Sequence, residues 1–387
     1  MRHLGTPALN SQRFRVPAPA GGAVSRRVGP RVHGRLTLAW AIAAYVVLQI
    51  GTTLLVDSAE PELRDTEYGH RLALLRAKRA AGPDRPLLLA LGSSRTLYGF
   101  RPDVLGESTA GPLAFNFGGL GAGPLVERMF LDRLLADGLR PRWLVIEIHP
   151  ALLHPAPYGG DRRRRPEVER FSARDVRLLS RYAPAPPALW ADWLRLRMGG
   201  CYWYRAALLS RRAPSWMTAP RHRDPHGFER SGRLGWVPGP WRIDDEAVRR
   251  KNVDASIRRF AAALGDFRVG DGERRALRDM LDICLRERIE VCLCLMPEAT
   301  RFRGGYPAGT RRKIDALMAE LRSEFRVRII DAGDWCDDRC FVDGEHLLAH
   351  GAAQFSARFA HDVLRPWLAG RDARDISSTV KGYPARP

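Results

Sequence analysis

Two stretches far apart in the chain carry the residue types of nucleophilic acyl transfer. The first is Gly92-Ser93-Ser94-Arg95; the second is Phe341-Val342-Asp343-Gly344-Glu345-His346-Leu347, with an Asp three residues ahead of a His. A serine hydroxyl is a weak nucleophile until a base lies within hydrogen-bond reach and a third group orients that base. Asp343 and His346 offer both from one segment. On their own the two serines equally serve as a cap for a following helix. The pairing of the two blocks is what points to chemistry.

Such a pairing needs elements that bring the blocks together. Residues 86–92 form a short apolar run ending in glycine, and comparable runs occupy 113–117, 143–148, 289–296 and 327–330. Continuous apolar runs of this length suit strands covered on both faces. Helical patterns fall at 126–136, 273–288, 310–325 and 352–368. Strands alternating with helices imply a parallel sheet with helices on both faces. In such sheets ligands bind outside the carboxyl ends of the strands, and the Ser93-Ser94 turn follows the first strand. Backbone N–H groups at that turn are suited to a developing oxyanion.

The strand-Gly-x-Ser turn near the start and the Asp-x-x-His ahead of the last helix together resemble the SGNH/GDSL hydrolase superfamily. The resemblance implies an α/β fold of three-layer α/β/α, flavodoxin-like type. It also implies Ser94 as nucleophile, in preference to Ser93, with His346 as general base and later acid and Asp343 as the orienting carboxylate. Ser93 stands where the family usually has Asp. Asn116-Phe117-Gly118-Gly119 looks like the family's second block. Gly118 is the implied oxyanion donor beside the Ser94 N–H, with Gly119 next. The chain departs from the third block, Gly-x-Asn-Asp: Glu147-Ile148-His149-Pro150 occupies that place and holds no Asn, leaving His149 as a substitute donor. Arg95 and Asn116 are the further candidates for substrate contact, Arg95 for an anionic group. Glu345 is expected to be solvated, and His350 to open the last helix. The resemblance implies neither a metal nor an organic cofactor. It extends in outline to relatives in alginate acetylation and teichoic-acid D-alanylation, which are anchored by one N-terminal helix and work beside a multi-spanning acyltransferase.

An anchor is also legible in the chain itself. Residues 36–56 (LTLAWAIAAYVVLQIGTTLLV) hold no charge and, at about 1.5 Å per residue, cross a hydrocarbon core of about 30 Å. Seven arginines and no acid precede this run, and Asp57, Glu60 and Glu62 follow it. The positive-inside rule then leaves the N-terminus cytoplasmic and the rest of the chain outside the membrane. The run exceeds the h-region of a cleaved signal peptide, so an uncleaved anchor is expected.

The organisation expected is a basic tail (1–35), the membrane helix (36–56), a juxtamembrane spacer (57–84), the α/β domain in two parts (85–157 and 273–370) around an insertion (158–272), and a disordered tail (371–387). The insertion carries Trp190, Trp193, Trp203, Trp216, Trp236 and Trp241, expected as its own core, with sugar or acyl contact the alternative. The run Asp161–Arg165 reads as a solvated loop, with lipid phosphates as an alternative contact. Of 63 basic residues only Lys78, Lys251, Lys313 and Lys381 are lysine, which reads as codon bias. The net charge of +20 is accompanied by no zinc-finger, RNP or helix-turn-helix pattern, so nucleic acid is not the expected partner. Cys292 and Cys294 read as small apolar residues on one strand face, while Cys336 and Cys340 leave a disulfide open.

The function expected is a membrane-anchored serine O-acyl esterase or acyltransferase acting on an acylated envelope glycan or polymer. The competing expectation is a non-catalytic assembly or glycan-binding protein with a degenerate site.

Overall fold

The structure, a computed structural model, describes residues 30–58, 61–106, 111–156, 168–216, 232–239, 241 and 245–370. Most of the basic tail, the Asp161–Arg165 loop and the tail 371–387 lie outside the described residues. The chain divides into two compact units, Met1–Val47 and Leu48–Pro387.

Helix α1 (Pro30–Ser58) contains Gly34–Ser58, long and apolar enough to span a membrane. Its Leu36, Leu38, Trp40, Ile42 and Tyr45 are exposed rather than packed in a core. Two helices, α2 (Pro61–Arg64) and α3 (Thr66–Ala81), lead into β1 (Leu87–Leu91), which is followed by α4 (Ser94–Gly99), β2 (Leu113–Asn116), α5 (Pro124–Ala136) and β3 (Trp143–Glu147). A long connection then holds α6 (Ala173–Leu179), α7 (Pro186–Arg197), α8 (Gly200–Arg212), α9 (Glu246–Gly265) and α10 (Asp271–Arg286). The chain returns through β4 (Glu290–Leu295), α11 (Thr300–Gly304), α12 (Ala308–Phe325) and β5 (Arg328–Asp331). It closes with α13 (Ala349–Phe359), a π turn at Ala360–Leu364 and α14 (Arg365–Leu368).

The five strands are all parallel, in the order β2-β1-β3-β4-β5. This is the 2-1-3-4-5 order of flavodoxin-like doubly wound sheets. Side chains alternate across a strand, so each apolar run feeds two cores. Leu87, Leu89 and Leu91 join Leu144, Ile146 and Leu293 on one face, against α3, α5, α10 and α12. Leu88, Ala90, Val145, Cys292 and Cys294 join the other, against Phe355 and Phe359 of α13 and Trp367 of α14. Both faces are thereby buried, which is why the strand sequences carry no polar alternation.

The order reverses at β1, since β2 lies on one side of it and β3 on the other. Crevices form at such a reversal. The carboxyl ends of β1, β2 and β3 deliver the Ser93-Ser94 turn, Asn116 and Glu147 to it. Helix α13 brings in the C-terminal block: the Ser356 hydroxyl accepts from Arg101 N–H at 2.8 Å and donates to Gly99 O at 3.3 Å, at the end of α4. Gly351 lies so close to Cys340 that an added Cβ would fall 2.6 Å from Cys340 Cβ. Cys336 and Cys340 are buried free thiols.

Candidate active site

Ser94 is the first residue of α4, with Ser93 as its N-cap: the Ser93 hydroxyl accepts from Arg95 N–H at 3.1 Å. The cap and the candidate nucleophile are therefore two different serines. Ser94 Oγ lies 2.8 Å from His346 Nε2, and His346 Nδ1 lies 2.9 and 3.0 Å from the two oxygens of Asp343. With Nδ1–H turned to the carboxylate, Nε2 accepts from the Ser94 hydroxyl. Asp343 also accepts the backbone N–H of His346 at 3.0 Å, so acid and base are held in one tight turn. That turn depends on Gly344, at φ +88°, where Phe302 Cβ stands 2.9 Å from any added Cβ.

Glu147 fixes the serine turn from below. Its Oε2 accepts Ser93 N–H at 2.8 Å, Thr96 N–H at 3.1 Å and the Thr96 hydroxyl at 2.6 Å, and its Oε1 accepts the Ser93 hydroxyl at 2.8 Å. Gly92 makes this approach possible, since a Cβ there would sit 2.5 Å from Glu147 Oε2. The residue occupies the strand end where the resemblance leads one to look for Asn. Its signal in the sequence was a lone acid at the end of an apolar run.

Asn116 holds α4 from the other side. Its amide points at the carbonyls of Thr96 (2.8 Å), Leu97 (3.3 Å) and Phe100 (2.6 Å), and its Oδ1 accepts Gly118 N–H at 2.9 Å. Two expectations are corrected by this geometry. Asn116 is fully buried and spent on the scaffold, so it is not open to substrate. The Gly118 N–H is already engaged and is not a free oxyanion donor; the Gly119 N–H is likewise given to Gly92 O at 2.8 Å. The Ser94 N–H has no acceptor among the described residues and stays available.

Arg95 is corrected in the same sense. It is 1 % exposed, and its Nη2 donates to the carbonyls of Met296 and Pro297 and to Glu298 Oε1 at 3.1–3.2 Å. Burial opposes its charge, but Glu298 and Glu147 outweigh that and hold the guanidinium protonated. It braces the site and meets no solvent. His149 is also buried, with Nε2 3.2 Å from Glu345 Oε2, while its Nδ1 has no hydrogen-bond partner among the described residues. Glu345 is not solvated: it is 3 % exposed, and Arg259 reaches its other oxygen at 3.3 Å. Burial pushes its carboxyl up, but His346, His149 and Arg95 pull it down to about 2. His350 is exposed, in the first turn of α13.

Two aromatic rings wall the base: Tyr98, which the sequence did not single out, and Trp241, expected in the insertion's own core. Tyr98 and Trp241 stack at 5.8 and 5.6 Å from the His346 ring and 4.7 Å from each other, with Leu97 and Val237 behind them. Trp241 comes from the long connection, and Trp236 pins that segment by donating to Tyr98 O at 2.8 Å. Trp190 and Trp193 instead pack on the main core, whereas Trp203 and Trp216 are exposed.

Asp343, Glu345 and His346 bring their ligand atoms within 4.8 Å of one another. Each is spent on Ser94, His149, Arg259 or its neighbour in the triad, and two guanidinium groups lie beside them, which suits a proton relay better than a cation.

Burial lowers the basicity of His346, but the carboxylates of Asp343 and Glu345 outweigh it and hold the ring above the ordinary histidine value of 6.5. A general base works only when neutral. If His346 serves as a general base, activity is expected to fall as pH drops, with the acid limb of kcat/KM shifted upward from the ordinary histidine range. Glu345→Gln removes one of the two charges that raise the value, so the limb moves to lower pH. A limb that stays in place in pH-rate profiles of the variant counts against this coupling.

Residues 52–158 match the family model of a protein of unknown function (DUF1574). The matched stretch includes the Gly92–Arg95 turn, Asn116, Gly118 and Glu147, and stops short of Asp343 and His346. No curated protein matches the chain.

Proposed function

We propose that the chain is a membrane-anchored serine O-acyl esterase or acyltransferase of SGNH-like type, acting on an acylated envelope glycan or polymer. The observation that carries this reading is the continuous relay from Ser94 Oγ through His346 to Asp343, with contacts of 2.8 and 2.9 Å. Its reaction begins as His346 Nε2 takes the Ser94 proton while Oγ adds to an ester carbonyl. The Ser94 N–H receives the developing oxyanion, and the imidazolium returns its proton to the departing alcohol. The acyl-Ser94 ester then passes to water or to an acceptor hydroxyl, which His346 deprotonates in turn. Asp343 stabilises the imidazolium in both halves.

The anchor belongs to the same reading. α1 enters the bilayer with the arginine-rich N-terminus in the cytoplasm, and the α/β domain stands outside, where a multi-spanning acyltransferase is a fitting supplier of acyl groups. The class of substrate follows from this placement and from the resemblance.

A second reading is favoured by one observation. With the Gly118 and Gly119 N–H groups already engaged and His149 Nε2 turned to Glu345, the Ser94 N–H is the one oxyanion donor identified among the described residues, and loss of a donor costs about 3–4 kcal/mol of transition-state stabilisation. That is the expectation for a non-catalytic assembly or glycan-binding protein that has kept the relay. A fluorophosphonate probe separates the two readings, since only an activated serine is captured; the catalytic reading expects one adduct, on Ser94.

A further inference from the structure

Helices α7 and α8 present a surface that the acyl-transfer site does not use. Outside α1, eight large hydrophobic residues are exposed among the described residues, and five of them, Leu194, Met198, Tyr202, Trp203 and Trp216, fall within one short stretch. Residues 193–216 hold five arginines and no acid, and Asp192, the one acid of α7, is paired with Arg195 at 2.7 Å. Arg205, Arg211 and Arg212 lie exposed on α8. Trp and Tyr beside an excess of arginine is the composition of a bilayer interface, where rings sit at headgroup level and long cationic chains reach phosphate.

What selects a bilayer is the seat of α8. Its first turn is packed on the last turns of α1: a Cβ on Gly200 would fall 2.4 Å from Thr53 Oγ1 and 2.9 Å from Gln49 O. Cys201 N–H donates to Gln49 Oε1 at 2.9 Å, and the Thr53 hydroxyl donates to Arg197 O at 3.1 Å. Arg197 reaches Asp57 at 2.9 Å. Asp57 is the first charge after the apolar run, and Gln49 lies eight residues before it, about 12 Å along the helix. A polar amide at that depth is costly unless a protein group satisfies it, and here α8 does so. Whatever depth Gln49 takes, the start of α8 takes with it.

We propose that α7 and α8 form an interfacial platform occupied by the outer headgroup and upper acyl-chain region of the bilayer, with the exposed arginines on anionic lipid phosphates. This rests on the reading of α1 as a membrane anchor. An amphipathic element of this kind lies about 5–10 Å into the headgroup boundary, which agrees with the position of Thr53, four residues or about 6 Å before Asp57.

Photo-crosslinking in isolated membranes tests it on the full chain. p-Benzoylphenylalanine is placed singly at Tyr45 in α1, at Tyr202 in α8 or at Leu285 in α10, all exposed positions where the new ring displaces no core. Phospholipid adducts are expected at 45 and 202, each roughly tenfold above position 285. Lipid capture at 45 with only solvent products or a protein adduct at 202 overturns the platform and leaves the anchor standing. Absence of lipid at 45 removes the anchor, and the platform with it.

Discussion

Asp343→Asn is expected to lower turnover of an activated ester roughly ten-thousandfold without unfolding the domain. The carboxylate does two things here. It lies 2.9–3.0 Å from His346 Nδ1, so that Nε2 faces Ser94 as an acceptor, and in the proposed reaction it offsets the charge that the ring gains in the transition state. An amide can keep the turn, because the backbone N–H of His346 still finds an oxygen, but it can favour the wrong tautomer. The loss should therefore fall on kcat, with KM little changed and the unfolding free energy within about 1 kcal/mol of the parent. A tenfold loss or less in steady-state kinetics contradicts the assigned role.

Glu147→Ala should be the most damaging change to stability, costing about 3–5 kcal/mol in urea denaturation, and should abolish activity. The carboxylate satisfies two backbone N–H groups and two hydroxyls, all buried, and its neighbour Arg95 loses a countercharge. In the proposed reaction Glu147 acts through the serine turn, as a positioning residue. Glu147→Gln retains an acceptor for the two N–H groups and is the discriminating variant. A positioning role predicts a folded protein with kcat reduced about 10–100-fold and KM near the parent value. Parent-like kcat in the folded Gln variant would assign Glu147 to stability alone.

The strands were legible in the sequence for a physical reason. A sheet covered on both faces needs uninterrupted apolar runs, and 86–92, 113–117, 143–148, 289–296 and 327–330 contain the five strands found among the described residues, apart from a one-residue extension of β5 to Asp331. Parallel pairing followed from the helices between them. The proximity of Ser94 to Asp343 and His346 was suggested by block order, because the carboxyl edge of a doubly wound sheet collects the turns that follow its strands. What escaped was everything decided by burial. Arg95 and Glu345 look like surface charges in a string of letters, yet both lie inside, each balanced by partners hundreds or tens of residues away. Gly118 had the right place for an oxyanion donor, but the amide of Asn116, two residues earlier, turned back to take its N–H. Trp241, expected in the insertion's core, could not be placed beside His346 because the path of the long connection is set by contacts such as Trp236 with Tyr98, which have no periodic signal.

The most direct measurement is active-site labelling of the full chain by a fluorophosphonate, read by intact mass and peptide mapping. An activated Ser94 predicts one adduct, mapped to Ser94, that is absent in Ser94→Ala and strongly slowed in His346→Ala. Complete resistance of the folded parent protein, or an adduct that persists in Ser94→Ala, would contradict the acyl-transfer site.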